Sequence, residues 1–372
     1  MRHDGMTRRE FNNGMAAAAL VTGFSSGCSG HDDGPSYENL AASIWRHTEV
    51  RPTSKLALQQ ELIRYATLAP NSHNSQPWLF RNEPDRIVIL PDFSRRCAAV
   101  DPDDHHLFVT LGCATENIVL AAAAFGLQAN VTVDVRRDGE IVVDLEAGTQ
   151  NRSALFEAIP ERQSTRAAYD GRAVTSVQLA ALESAAQSES VGVQFFTDQN
   201  DLEAVLEYVI AGNTAQLSDK AFVEELRASI RFNESAAVEH RDGLFSASSG
   251  NPTAPSWLGN LMFRFAFTED GENDKYRDHI RSSAGIIAFV SQFDTKEGWI
   301  SVGRSCQRFA LRATALGLRH AYINQPVEVP EVRRQFAEYL GIGEKRPDLL
   351  LRFGYGPTLP RSLRRLVKDV LV

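Results

Sequence analysis

The sequence predicts an α+β protein made of two fused, pseudo-symmetric halves, each with helices packed on a mostly antiparallel sheet. Three observations carry this expectation. GCATENIVLAAAAFGL, beginning at Gly112, and GRSCQRFALRATALGL, beginning at Gly303, both run apolar at helical spacing and close on Gly-Leu. Gly112 to Gly126 and Gly303 to Gly317 are each 14 residues apart, so both runs end on a glycine suited to a left-handed helix C-cap. β-type residues follow both exits: ANVTVDV at 129–135 and HAYINQ at 320–325.

The flanking elements match in order. In the first half, residues 37–150, IWRHTEV (44–50) precedes a helix expected at about 55–69 and strands near 77–82 and 86–90. In the second half, residues 151–372, IPERQSTR (159–166) precedes a helix at about 176–187 and a strand near 192–197. The second half also carries an extra segment, about 231–283, rich in Gly, Ser and Pro around 243–256 and aromatic in WLGNLMFRFAF at 257–267. Trp257, Phe263, Phe265 and Phe267 are not expected to stay exposed. They cover either the back of the sheet or a functional face. In the latter case the segment is a lid, with Gly243, Gly250 and Gly259 as hinges and Pro252 and Pro255 as braces.

The 372 residues are 43% hydrophobic and 23% charged, the range of a soluble globular chain with a sizeable core. The net charge of −8 and the pI near 5.7 give no basic footprint for nucleic acid. Cys28, Cys97, Cys113 and Cys306 form no CxxC pair, which excludes a disulfide scaffold. With no HExxH and no Cys/His cluster in the sequence, no metal is expected. The neighbours His105 and His106 read as a solvated helix start.

Residues 7–11, TRREF, resemble a twin-arginine export signal. The apolar run GMAAAALVTGF at 14–24 is too short to span a bilayer of roughly 30 Å and fits a signal h-region. Residues 1–36 are therefore expected to be a twin-arginine signal and a polar linker, with the protein exported to the periplasm by the twin-arginine machinery. Ser25-Ser26-Gly27 before Cys28 leaves lipid anchoring at Cys28 open beside a soluble product.

Three segments carry chemistry. APNSHNSQPW (69–78) makes a polar loop after a helix, with Pro70, Asn71, Ser72 and Asn74 offering amide and hydroxyl groups. In RQSTR, Arg162, Ser164 and Arg166 alternate, so an extended backbone points all three one way. Paired guanidinium forks suit a phosphate. RSLRR (361–365) adds Arg361, Arg364 and Arg365 after the apolar run LLLRFGYG.

Together these segments resemble the FMN-dependent nitroreductase superfamily. APNSHNSQPW is similar to its APSSxNxQPW loop, RQSTR to its Arg-x-Ser-x-Arg motif, and GYGPTLPRSLRR to its basic terminus. ATALGLRHAYINQPVEVPEVR followed by LLLRFGYGP resembles the Acg-type branch, in which two nitroreductase halves are fused. The resemblance covers roughly residues 38–372. It implies a nitroreductase-like fold and an FMN held by Pro70, Asn71, Ser72, Asn74, Arg162, Ser164, Arg166, Arg364 and Arg365. It implies a small-molecule electron donor and a nitro- or quinone-like acceptor, or else a flavin-sequestering protein without turnover. No catalytic residue is named. Dimeric relatives build each site from two chains; here the fused halves would let a monomer complete one. The first half has RHTEV at 46–50, and the second has AQSESVGVQF at 186–195 with neither the Pro nor the Asn of the loop. One full motif set remains, which implies one flavin per chain.

Overall fold

A computed structural model describes residues 36–372, of which 37–372 form one compact unit. The segment expected to be an export signal lies outside the described residues. The first half contains α1 (Tyr37–Ile44), α2 (Lys55–Thr67), β1 (Trp78–Glu83), β2 (Arg86–Pro91), α3 (His105–Ala124), β3 (Leu127–Asp134) and β4 (Glu140–Ala147). After α4 (Ala154–Glu157) come α5 (Ser176–Ala186) and β5 (Val191–Phe196). Then follow α6 (Gln199–Ser218), α7 (Lys220–Ser229), β6 (Ile230–Arg231), α8 (Glu234–His240), β7 (Leu244–Phe245), α9 (Ser256–Ala266) and α10 (Glu269–Arg281). The chain closes with β8 (Gly285–Ser291), α11 (Lys296–Ala315), β9 (Arg319–Tyr322), α12 (Gln325–Glu328), α13 (Pro330–Tyr339) and β10 (Pro347–Gly354).

Each half holds a four-stranded antiparallel sheet, ordered β1-β2-β4-β3 and β5-β8-β10-β9. The series α2, β1, β2, α3, β3, β4 thus repeats as α5, β5, β8, α11, β9, β10. In the second half α6–α10 intrude between β5 and β8. The segment expected at 231–283 is the later part of this intrusion, which begins with α6. Local chemistry sets the boundaries. Ser54 accepts the Ala57 N–H at 3.1 Å to start α2, and Thr175 with Gln178 forms a capping box on α5. Gly126 and Gly317, after the two long helices, both lie at φ +74°, the left-handed exit the repeat predicts.

The two long helices cross at the centre. Gly112 packs under the Ile300 carbonyl and Gly303 under the Val109 carbonyl, so a Cβ at either glycine would overlap a backbone oxygen. The contact is reciprocal, as in an isologous twofold interface. Ile300 and Leu311 of α11 join the first core, and Val109 of α3 joins the second. α3 is long and apolar enough to cross a membrane, but 83% of its most apolar stretch is buried inside the protein, which makes it a core helix. Beyond β10 the tail returns to the first half. Phe80 N–H donates to the Val370 carbonyl at 2.7 Å, and Val372 N–H to the Phe80 carbonyl at 3.0 Å. Residues near the C-terminus therefore cover the β1 edge.

The start of α3 differs from expectation. His105 is fully buried and His106 nearly so. Asp101, upstream of the helix, accepts the His106 and Leu107 N–H groups at 3.0 and 2.9 Å. His105 Nε2 lies 2.8 Å from Asp348 Oδ1 on β10. Burial holds the His105 imidazole neutral and pushes Asp348 up to about 6. The partner is 243 residues away in sequence, so no local pattern announces it.

Candidate functional site

Two adjoining cavities lie between the halves, one of about 450 Å³ and one of about 70 Å³. Pro70, Asn71, Arg166, Leu244 and Tyr322 line both, so the two cavities share a wall.

Residues 162–166 run extended beside β9: Ser164 bridges to His320, and Thr165 N–H donates to the His320 carbonyl at 2.8 Å. Arg162, Ser164 and Arg166 accordingly all line the smaller cavity, as the alternation predicts. Between them, Gln163 grips the tail. Its amide donates to the Leu359 carbonyl at 2.6 Å, and its oxygen accepts the Leu359 N–H at 2.9 Å. That grip brings Arg361, Ser362 and Arg364 to the same cavity.

Four guanidinium groups now converge, and no carboxylate lines the smaller cavity. Arg162 donates to the Leu68 carbonyl at 3.1 Å, while its Nε and Nη1 are buried without a partner. Arg166 makes no hydrogen bond or ion pair with any described residue. Arg364 donates to the Thr67 carbonyl at 2.7 Å and to Asn74 Oδ1 at 2.8 Å. Arg361 reaches only the exposed Glu161, at 3.0 Å, and the Arg162 carbonyl, at 2.9 Å. Trp45 lies under both tail arginines, 5.1 Å from Arg361 and 4.9 Å from Arg364. Burial depresses the pKa of Arg162, Arg166 and Arg361. Burial, then the neighbouring Arg162, takes Arg364 to about 9. Buried charge without a counter-charge is costly, and a bound anion removes that cost.

The loop after α2 forms the wall between the cavities. His73, Asn74 and Gln76 lie at φ +49°, +53° and +55°, a left-handed run without glycine that must be held from outside. Asn71 Oδ1 accepts the Gln76 N–H at 2.8 Å, and Asn71 Nδ2 donates to the Ala69 carbonyl at 3.3 Å. Asn74 Nδ2 donates to the Gly243 and Leu363 carbonyls, both at 3.1 Å. Both residues line the site, but their amides brace the loop, the intrusion and the tail instead of reaching into the cavity. Pro70 lines both cavities and Ser72 the larger one.

Arg365 corrects the sequence expectation. Its backbone N–H donates to Gln76 Oε1 at 2.8 Å, and its guanidinium goes to the Asp369 carbonyl at 2.6 Å and toward Asp92 at 3.7 Å. Arg361 occupies the place expected for it. His320 and Tyr322 were not anticipated. His320 is fully buried with both ring nitrogens unpartnered, and burial followed by Arg162 keeps it neutral. Pairing of 162–166 against β9 places Tyr322 on the wall of both cavities, whereas His320 lines neither.

α9 forms the outer wall of the larger cavity through Gly259, Phe263 and Phe267, the two rings stacking at 4.4 Å and 17°. The other two aromatics do not fit the expectation of burial: Trp257 and Phe265 are 71% and 76% exposed. Gly259 lies inside α9, not in a connecting loop, and a Cβ there would overlap the Phe232 ring. Gly243 and Gly250 do adopt left-handed turns, at φ +74° and +75°.

The architecture is α+β, with helices packed on two four-stranded antiparallel sheets, the class the sequence predicts. Two curated relatives, each named "Putative NAD(P)H nitroreductase", come from Mycobacterium tuberculosis strains CDC 1551 / Oshkosh and H37Rv. Both are 26% identical over 321 residues, spanning 83% of this chain and 90% of theirs. Among solved structures, a chain from Anabaena variabilis described as a putative nitroreductase covers 88% of this chain and 93% of its own, at 12% identity and a TM-score of 0.48. A Bacteroides fragilis nitroreductase with bound FMN covers 57% of this chain and 95% of its own, at 17% identity and a TM-score of 0.35. No family model matches the chain.

Proposed function

We propose that the protein is an FMN-dependent oxidoreductase of the nitroreductase type, from the fused, Acg-like branch, that passes electrons from a small-molecule donor to nitro- or quinone-like acceptors. The observation that carries this reading is the convergence of Arg162, Arg166, Arg361 and Arg364, without a carboxylate, on a small cavity that adjoins a larger one. The residues fit FMN. The unpartnered Nε and Nη1 of Arg162 require acceptors, which a phosphate supplies. The larger cavity, walled by Phe232, Phe263, Phe267 and Tyr322, suits a flat ring. Bound FMN would supply two-electron redox chemistry. The arginines of the smaller cavity would neutralise the phosphate, and the aromatic side chains of the larger one would hold the ring. In this reading the halves arose by internal duplication and kept one site, and a monomer is sufficient. Export as a folded, cofactor-loaded protein fits the TRREF signal, and Arg8→Lys with Arg9→Lys would then retain the protein in the cytoplasm.

The test is anaerobic reduction of the purified protein by NADPH or NADH, followed by addition of a nitroaromatic or a quinone. Bleaching of one flavin per chain, then reoxidation by the acceptor, is the expected result. A folded chain that binds no FMN would overturn the assignment. A second reading, flavin sequestration, is supported by the α9 side chains that line the larger cavity. It predicts bleaching by dithionite but not by nicotinamide donors. Phe263→Ala with Phe267→Ala should then restore access.

A further inference from the structure

A second group of chemistry-bearing side chains lies beside the larger cavity. A ring nitrogen of His73, Cys97 Sγ and a Glu225 carboxylate oxygen are all within 4.8 Å of one another. They come from three segments far apart in sequence: the loop after α2, the loop after β2, and α7 of the intrusion. Glu225 accepts the Ala99 and Val100 N–H groups at 2.8 and 3.2 Å and pairs with no Lys or Arg among the described residues. Cys97 Sγ makes a weak, 3.9 Å contact with the Ser72 carbonyl. His73 Nδ1 is buried and unpartnered. Its ring is fixed by a left-handed backbone in a loop braced from both sides.

Asp101 and Glu328 add negative potential on the Cys97 side, while the Arg166 guanidinium adds positive potential on the His73 side. Val100, Leu217, Phe222 and Leu226 enclose the group in apolar side chains. One nitrogen, one sulfur and one carboxylate oxygen make a borderline-soft donor set, the kind that suits zinc-type ions.

We propose that His73, Cys97 and Glu225 form a binding site for a divalent transition metal ion of the zinc type. The ion would clip α7 of the intrusion to the loop after α2 and the loop after β2. Binding expels the Cys97 proton, and the thiolate, the His73 nitrogen and the Glu225 carboxylate each donate a lone pair. The sequence lacks a metal motif because the ligands meet only through the tertiary fold. The site stands independently of the flavin reading.

The experiment takes the full-length purified protein, strips metal with a chelator, dialyses it against limiting Zn²⁺ and measures bound zinc by elemental analysis. Wild type should retain one zinc per chain and melt at a higher temperature than the stripped protein. Cys97→Ser and the near-isosteric Glu225→Gln should each weaken zinc binding by at least roughly tenfold, with circular dichroism unchanged. Should Cys97→Ser fail to fold, the wild-type and Glu225→Gln measurements decide alone. No zinc retained by wild type, or equal retention by Glu225→Gln, overturns the proposal. Flavin absorbance recorded on the stripped protein reports the FMN site separately, so failure of one reading is distinguishable from failure of the other.

Discussion

Residues 46–50 and 162–166 occupy corresponding places, before α2 and before α5, and their charges meet opposite fates. In the first segment, polar groups find partners nearby. His47 sits 3.1 Å from the Tyr65 hydroxyl and 3.3 Å from Glu157, and Thr48 bonds Glu61. Arg64 pairs with Glu61 at 2.6 Å and caps the Ile44 and Arg46 carbonyls. Val50, where the second arginine would stand, is 77% exposed. In the second segment, Arg162 is buried and Arg166 half-buried, and neither pairs with an acid among the described residues. A binding site is thus made less by arginine content than by keeping carboxylates away from it.

The comparison can be broken or sharpened at four points. The largest effect is expected at the crossing both halves share. Gly112→Ala and Gly303→Ala force a Cβ into a carbonyl and should each destabilise by about 3 kcal/mol, the upper end for overpacking, to a similar extent. Urea unfolding of the two variants tests this, and a large effect at one site alone would refute the twofold crossing. Next, Arg162→Ala should weaken FMN binding roughly 10- to 150-fold, about 1.5–3 kcal/mol for a charged hydrogen bond. Arg46→Ala should leave it unchanged. Equal losses in a fluorescence titration would mean that both segments bind flavin.

The third effect is on pH. His320 stays neutral in the folded state because burial depresses its pKa. Below about pH 6.5 the unfolded chain takes up a proton that the folded chain refuses, so stability falls as pH falls. The loss should approach about 1.4 kcal/mol per pH unit for this one group. His105 acts in the same direction, but Asp348, raised to about 6, opposes it as pH drops further, so His320 is the cleaner reporter. Urea midpoints of flavin-free wild type and His320→Asn, compared at neutral and mildly acidic pH, should converge on the acid side. The smallest effect is expected from Arg365→Ala. Its partners are Gln76, Asp92 and the Asp369 carbonyl, so FMN affinity should change less than about twofold, within surface-pair energies.

What the sequence determined by itself follows from local rules. Helical spacing, equal runs to Gly126 and Gly317, and β-type exits are enough to define two α+β halves, because periodicity and capping are read within a few residues. The alternation of Arg162, Ser164 and Arg166 likewise needs only an extended backbone. What the tertiary structure decided depends on partners that meet from far away. Arg361 rather than Arg365 faces the smaller cavity because Gln163 grips the tail at Leu359. Asn71 and Asn74 brace the loop because Gln76, Gly243 and Leu363 arrive beside them. His105 is buried because Asp348 on β10 waits for it, and His73, Cys97 and Glu225 gather only once α7 packs on the first half's loops. Whether a polar side chain reaches out or is engaged inside depends on its nearest acid, amide or carbonyl, and folding, not sequence spacing, supplies that neighbour.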